Sequence, residues 1–181
     1  MSLLLDRLME IHQGLDDHGI PHAVGGALAL AFCVAEPRGT RDLDLNLFIE
    51  TERAEEAFAA LPVGVVVTDE DRMLVARDDQ VRLWWGDVPI DLFFQCHEFH
   101  REVADRVRIV DIVAGCPVPI IDCGSLAVFK VLFNRTRDWA DLEAVAERGT
   151  LDFDWALGWL HRLLGPDDEA CMRFAQLRPA L

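Results

Sequence analysis

Residues 22–49, HAVGGALALAFCVAEPRGTRDLDLNLFI, combine a short strand, a glycine pair, a helix and an alternating strand in immediate succession. The strand predicted over 22–24 runs into Gly25-Gly26, and the small and apolar residues that follow predict a buried helix over 27–34. Residues 42–49 alternate polar and apolar side chains, as a half-buried strand does. This succession predicts a sheet with a helix packed against it.

Two carboxylates, Asp42 and Asp44, lie two positions apart in the alternating strand and are expected on the same face of it. Neighbouring carboxylates repel each other unless a cation lies between them, and hard oxygen ligands suit Mg²⁺. A solvated strand face explains such a pair equally simply, just as an ordinary tight turn explains Gly25-Gly26. Glycines between a strand and a helix also let the backbone approach a phosphate closely, so the combination favours a functional site.

A third carboxylate, Asp91, is the only charge in the apolar strand VPIDLFF predicted over 88–94. A charge in such a strand is costly unless it is paired or bound to a metal. We therefore expect Asp91 to be a shared metal ligand or the base that receives a proton from the acceptor. Asp87 lies nearby, but it belongs to the predicted Gly86-Asp87 hairpin turn, where aspartate is common for local reasons.

The rest of the chain predicts further helices and strands without internal repeats. Helices are predicted over 3–18, 51–60, 124–133, 138–148, 154–164 and 167–176, strands over 80–85, 107–113 and 117–121, and a short helix or loop over 97–106. The predicted fold is α+β: a mixed sheet flanked by helices over residues 1–121, followed by a C-terminal helical segment over 122–181 that packs on this core.

The net charge of −15 disfavours a nucleic-acid partner, which binds through cationic side chains. A small molecule or a protein fits this field better, although acidity also serves solubility alone. No apolar run approaches the roughly 18 residues that a membrane span needs. The five cysteines are scattered without a Cys-x-x-Cys pair, which favours a reducing compartment over a disulfide framework. Charges interrupt the N-terminal leucines as in an amphipathic helix, so we expect a cytoplasmic protein.

The strings VGGALALAF, RGTRDLDL and IDLF together resemble the nucleotidyltransferase superfamily related to DNA polymerase beta. The signature of that superfamily is a glycine turn, an acidic pair and a later aspartate on an adjacent strand. Residues 125–145, SLAVFKVLFNRTRDWADLEAV, resemble the helical segment of small bacterial nucleotidyltransferases of the abortive-infection toxin type, and the chain is also similar to aminoglycoside nucleotidyltransferases. In this segment the matching positions are Lys130, Arg137, Asp138 and Asp141.

The resemblance implies Mg²⁺-dependent transfer of a nucleoside monophosphate from a nucleoside triphosphate, with ATP favoured, to an acceptor hydroxyl. The residues that it implies are the metal ligands Asp42, Asp44 and Asp91 and the nucleotide-binding residues Gly25, Gly26, Arg38 and Lys130. The three acids and Lys130 are the catalytic candidates, because an ammonium near the triphosphate would neutralise developing charge. A lysine that extends to solvent is the alternative for Lys130, and Asp138 and Asp141 are expected to pair with Arg135 or Arg137.

The acceptor is left open, with a small molecule or a protein preferred over nucleic acid. Two other functions remain alternatives: a nucleotide-binding or interaction module that has lost catalysis, and a tRNA-modifying toxin of a toxin–antitoxin pair. Trp84 and Trp85 cannot both face inward from one strand, so one of them is expected to line a pocket or the contact of a homodimer.

Overall fold

Six strands form one mixed sheet in the computed structural model, which describes residues 3–36, 38–113 and 115–178. They are β1 His22–Val24, β2 Leu43–Leu47, β3 Gln80–Trp85, β4 Val88–Phe94, β5 Arg108–Val113 and β6 Cys116–Ile120. The strand order is β3-β4-β2-β1-β6-β5. The pairs β2–β4 and β1–β6 are parallel, and the other neighbouring strands are antiparallel.

Helices cover both faces of the sheet. They are α1 Leu3–Asp17, α2 Gly26–Leu30, α3 Ala54–Ala60, α4 Asp69–Asp78, α5 Glu98–Asp105, α6 Cys123–Phe133, α7 Thr136–Arg148, α8 Phe153–Leu163 and α9 Glu169–Ala175, with a 3₁₀ turn at Thr51–Arg53. The predicted α+β class with a mixed sheet is confirmed. None of the helices in the described ranges is both long and apolar enough to span a lipid bilayer.

The helix α4 is absent from the sequence-based prediction, which treated the middle of the chain as strand-rich. Thr68 caps it in a reciprocal capping box with Asp71, and it ends at Asp79, which has a left-handed φ of 55°. Its sequence, DEDRMLVARD, buries only Val75, so the weak apolar periodicity hid it. The capping signal was nevertheless present in the chain.

Among the boundaries that differ from the prediction, two lie next to the glycine pair and the acidic pair. The helix α2 ends at Leu30 and not at residue 34, because the chain tightens after it: Phe32 and Cys33 donate backbone hydrogen bonds to the residues three positions earlier. The strand β2 begins at Leu43, so that Asp42 lies immediately before it. The hairpin of β3 and β4 has the predicted bounds, and Gly86 in its turn has a φ of 63°.

The sheet separates two apolar clusters. On one face, Leu8, Ile11 and Leu15 of α1 pack with Leu43 and other strand residues. On the other face, the C-terminal helices surround a cluster that contains Phe99, Trp139, Trp159 and Phe174. Residues of α2 belong to this second cluster, so helices from the two ends of the chain share one core. The division at residue 121 stays a prediction.

One disulfide bond contradicts the expectation of reduced cysteines. Cys33, after α2, is bonded to Cys123, at the start of α6, with their Cα atoms 5.6 Å apart. Ninety positions separate the two residues, so no local spacing motif announces the pair. Cys96, Cys116 and Cys171 are free thiols. The bond joins the helix that follows Gly25-Gly26 to the helix that carries Lys130.

Candidate active site

The three predicted acids lie together in one cleft. Asp44 on β2 is the register partner of Asp91 on the parallel strand β4, so their side chains share a face of the sheet. Asp42 lies two positions before Asp44 and lines the same cleft of about 620 Å³. We call it the central cleft. Its charged lining residues are Asp42, Asp44, Asp91 and Asp138 together with Arg38, Arg41, Arg82, Lys130, Arg135 and Arg137.

The glycine pair fixes the position of Asp44. The backbone N–H of Gly25 donates to the carbonyl of Asp44 at 2.8 Å, which ties the turn to β2. Gly26 has a φ of 53°, and a Cβ at this position would lie 1.8 Å from Oδ2 of Asp44. Gly26 lines the central cleft, whereas Gly25 is buried and its N–H is engaged with the protein backbone. The turn therefore needs glycine because the Asp44 carboxylate occupies the adjacent space.

Asp44 carries an unfavourable charge in the absence of a cation. Burial raises its pKa to about 6, and the neighbouring charges of Asp91 and Asp42 act in the same direction. Asp42 and Asp91 are more accessible, with side chains 35% and 16% exposed. A cation in this part of the cleft would relieve the repulsion, and carboxylate oxygens are the ligands that suit a hard divalent ion.

Sequence reasoning missed Arg82, which holds the third acid. Its Nε and Nη2 donate to the two oxygens of Asp91 at 2.7 and 2.6 Å, and Nη2 lies 3.7 Å from Oδ2 of Asp42. Arg82 and Asp91 are register partners across the hairpin of β3 and β4. A two-residue turn at Gly86-Asp87 fixes this register, so the hairpin signal could have identified Arg82.

The described residues contain no group of three or more Asp, Glu, His or Cys side chains already arranged to hold a metal ion. Asp42 and Asp44 offer oxygen donors of suitable chemistry, with Nη2 of Arg82 3.7 Å from Oδ2 of Asp42, while both oxygens of Asp91 are engaged by Arg82. The donor set thus fits a divalent cation in chemistry and in strand register, but its third member is occupied by a guanidinium.

Lys130 forms the centre of a buried ionic network. It is 4% exposed, and its Nζ donates to Asp141 at 2.5 Å and to Asp138 at 3.3 Å. Arg38 donates to both oxygens of Asp141 at 3.0–3.3 Å, and Arg135 donates to Asp138 at 2.7 Å. Of the expected pairs, Arg135–Asp138 is present, whereas the arginine on Asp141 is Arg38 and not Arg137.

The network keeps two buried carboxylates ionised. Burial raises the pKa of Asp141, but the hydrogen bonds from Arg38 and Lys130 and their charges lower it more, to below its usual range. The pKa of Asp138 is lowered in the same way by Arg135 and Lys130 against the effect of burial. The ammonium of Lys130 is thus engaged by protein carboxylates, so a contact with a triphosphate is not preformed.

No protein-family model matches the chain, and no curated protein matches it significantly. Its fold is similar to that of ANT(2'')-Ia in complex with adenylyl-2''-tobramycin, with a TM-score of 0.59 and 16% identity over 97% of this chain and 98% of that one. The solution structure of the antibiotic-resistance factor ANT(2'')-Ia gives a TM-score of 0.56 at 15% identity, over 95% of this chain and 89% of that one.

A nucleotidyltransferase-like protein from Paracoccidioides brasiliensis aligns over 95% of both chains at 16% identity, but its TM-score of 0.45 is too low to carry an argument. The two ANT(2'')-Ia structures match this chain over nearly its whole length, although the low identity limits the inference to the fold. The chain has a nucleotidyltransferase-like fold.

Proposed function

We propose that this protein transfers a nucleoside monophosphate from a nucleoside triphosphate, with ATP favoured, to the hydroxyl of an acceptor in an Mg²⁺-dependent reaction. The observation that carries the proposal is the convergence of Asp42, Asp44 and Asp91 beside the Gly25-Gly26 turn in the central cleft. The three carboxylates lie close together on or next to two adjacent strands, and the pKa of Asp44 is raised. A bound cation would relieve the repulsion between them.

In the proposed site, Asp42 and Asp44 would hold divalent metal ions, and Asp91 would serve as a further metal ligand or as the proton acceptor. Bound divalent ions would supply charge neutralisation at the triphosphate and at the attacking oxygen. Gly26 lines the cleft beside Asp44, where the phosphates would lie. The acceptor hydroxyl attacks the α-phosphorus, its proton passes to Asp91, and pyrophosphate leaves. Catalysis would consist chiefly of positioning and electrostatic stabilisation.

The cationic wall of the cleft would bind the phosphates. Arg38 lies 31% exposed at the cleft, held in place by Asp141, and Arg41 and Arg137 line the same space. Lys130 lies behind this wall. It would contact the triphosphate directly if its ammonium left Asp138 and Asp141. Otherwise it would act indirectly, by holding Asp141 and so the position of Arg38. Arginines are well suited to phosphate oxygens because their donors are fixed in a planar fork.

For the acceptor we favour a small molecule or a protein, because the net charge of −15 opposes a polyanion. The adenylylated tobramycin in the ANT(2'')-Ia complex supports a hydroxyl-bearing small molecule as the first class to test. A cytoplasmic location stays part of the proposal, although the Cys33–Cys123 bond weighs against a reducing compartment. A homodimer also stays a prediction; Trp84, 51% exposed on β3, is the residue to probe for it.

The second candidate is a nucleotide-binding or interaction module without catalysis. The pairing of both Asp91 oxygens with Arg82 favours this alternative, because the third acid is not available in the observed arrangement. The two candidates differ in whether label from a triphosphate reaches another molecule.

The decisive experiment incubates the protein with each α-³²P-labelled nucleoside triphosphate, MgCl₂ and fractionated cell extract. We expect label in one acceptor fraction, and none with Asp42→Asn, Asp44→Asn or Asp91→Asn. Asp87→Asn is the matched control, since this carboxylate is 89% exposed in the hairpin turn and lies outside the cleft. Absence of labelling by the unmodified protein, together with calorimetry that detects no Mg²⁺-dependent triphosphate binding, would refute the proposal.

A further inference from the structure

The guanidinium of Arg82 occupies the place in the central cleft where a cation would meet the third acid. Its Nε and Nη2 donate to the two oxygens of Asp91 at 2.7 and 2.6 Å, and Nη2 also lies 3.7 Å from Oδ2 of Asp42. Two of the three carboxylates assigned to metal in the proposed function therefore already face a positive charge. A divalent ion ligated by Asp91 and this guanidinium cannot share the same oxygens.

The strand register makes this arrangement a property of the fold. Asp91 on β4 is flanked by Asp44 on β2 and by Arg82 on β3, each of them its direct register partner. The three side chains form a row across neighbouring strands, with Arg82 at the end of the row. Side chains at direct register positions are close enough to interact without rearrangement of the backbone.

Arg82 is free to leave, whereas Asp91 is not. The side chain of Arg82 is 50% exposed on β3, the terminal strand of the sheet, and that of Asp91 is 16% exposed on the internal strand β4. A second cleft of about 350 Å³ adjoins the pair, and Asp78 and Gln80 lie in its lining. A guanidinium that left Asp91 could lie next to these polar side chains, and the apolar core would not have to rearrange.

We propose that Arg82 is a built-in competitor of the divalent cation for Asp91. In the metal-free protein Arg82 neutralises Asp91, and the first cation binds to Asp42 and Asp44 alone. Asp91 becomes a metal ligand only when Arg82 moves away. Arg82 is thus a positioning residue that sets the metal affinity of the free protein. This inference rests on the proposed function, because it assumes that the three acids bind metal.

The test is a titration of the full chain with Mn²⁺, followed by electron paramagnetic resonance without nucleotide. We expect Arg82→Ala to bind Mn²⁺ about tenfold more tightly, since both a competing ion pair and a nearby positive charge are lost. Arg137→Ala is the matched control, because Arg137 lines the same cleft but forms no ion pair with a carboxylate among the described residues. Its affinity should rise by no more than about threefold, as a charge without direct contact is screened.

The double variant Arg82→Ala/Asp91→Asn isolates the pair. The gain from Arg82→Ala should fall to no more than about threefold when Asp91→Asn is the reference, because only the loss of a nearby charge then remains, and circular dichroism verifies that each variant is folded. If Arg82→Ala binds Mn²⁺ no more tightly than Arg137→Ala, or if its gain stays about tenfold in the Asp91→Asn protein, the inference is wrong and the proposed function stands. If no folded variant binds Mn²⁺, with or without a triphosphate, the proposed function fails and the inference fails with it.

Discussion

The carboxylate of Asp44 occupies the space into which any side chain on Gly26 would project. A Cβ at position 26 would lie 1.8 Å from Oδ2 and 2.3 Å from Cγ of Asp44. Gly26 also has a φ of 53°, a conformation that side chains with a β-carbon rarely adopt. The glycine turn and the acidic strand are therefore one structural unit.

We expect Gly26→Ala to lower the free energy of unfolding by more than about 2 kcal/mol, because backbone strain and the collision with Asp44 add. Mn²⁺ affinity should fall as well, since Asp44 has to move. Gly149→Ala is the matched control: Gly149 has a φ of 71° and nothing lies within 4 Å of its added Cβ. The Gly149→Ala variant therefore measures backbone strain alone, which we expect to lower the free energy of unfolding by about 1 kcal/mol. Urea denaturation of both variants measures the difference, and equal losses would contradict the collision.

A second prediction concerns the free energy of unfolding, which the charged form of Asp44 lowers. Its pKa is raised to about 6, chiefly by burial and further by Asp91 and Asp42. The folded state therefore holds a proton that the unfolded state releases near its ordinary pKa of 3.8. The stability linked to this proton is present below about pH 4 and is lost as the pH rises through 6. Charged Asp44 thus destabilises the fold at neutral pH.

Asp44→Asn should raise the free energy of unfolding at pH 7.5 by about 2 kcal/mol while abolishing the proposed nucleotidyl transfer. The gain should shrink toward zero near pH 4, where Asp44 is protonated. Urea denaturation in EDTA at the two pH values measures it, with Asp87→Asn as the control on an exposed carboxylate. A gain of equal size at both pH values would show that charge is not its cause.

Some of this site could be predicted because its parts are local in sequence or tied by a turn. Asp42 and Asp44 are only two positions apart in the chain, and the two-residue turn at Gly86-Asp87 defines the register that joins Arg82 to Asp91. The pairing of Arg82 with Asp91 could therefore have been predicted from the sequence. The adjacency of β2 and β4, which joins Asp44 to Asp91, was accessible only through the family resemblance.

Other parts follow from tertiary packing alone. Arg38 and Asp141 are 103 positions apart and meet only because α7 packs against the loop before β2. The family resemblance made Lys130 a nucleotide-binding candidate but did not reveal that its Nζ would be enclosed by two carboxylates. The same limit applies to Cys33 and Cys123, which no spacing rule connects.

The third prediction tests Lys130 as a buried counter-ion. Lys130→Met would leave Asp138, 1% exposed, and Asp141 without their shared ammonium. We expect a loss of about 3–5 kcal/mol in the free energy of unfolding, because buried carboxylates would lose a partner. Arg38→Ala removes the more exposed partner of Asp141 and should cost only about 1 kcal/mol. Similar losses in the two variants, measured by urea denaturation, would argue against Lys130 as the centre of the network.

The fourth prediction concerns the bond between Cys33 and Cys123. Protein denatured in the presence of iodoacetamide at lysis should show three modified cysteines by mass spectrometry, because only Cys96, Cys116 and Cys171 are free. Reduction should lower the free energy of unfolding by about 4 kcal/mol, since the bond closes a long loop in the unfolded chain. The two cysteines are separated by 90 positions.

Two serine variants separate the bond from the effect of a lost core thiol. Cys33→Ser should be less stable than the unmodified protein and insensitive to dithiothreitol, because the bond is already absent. Cys171→Ser removes a buried thiol outside the bond, so its stability should still fall on reduction. Five alkylated cysteines at lysis would show that the bond does not form in the cell. That result would remove the objection to a cytoplasmic location, since a reducing compartment keeps cysteine thiols reduced.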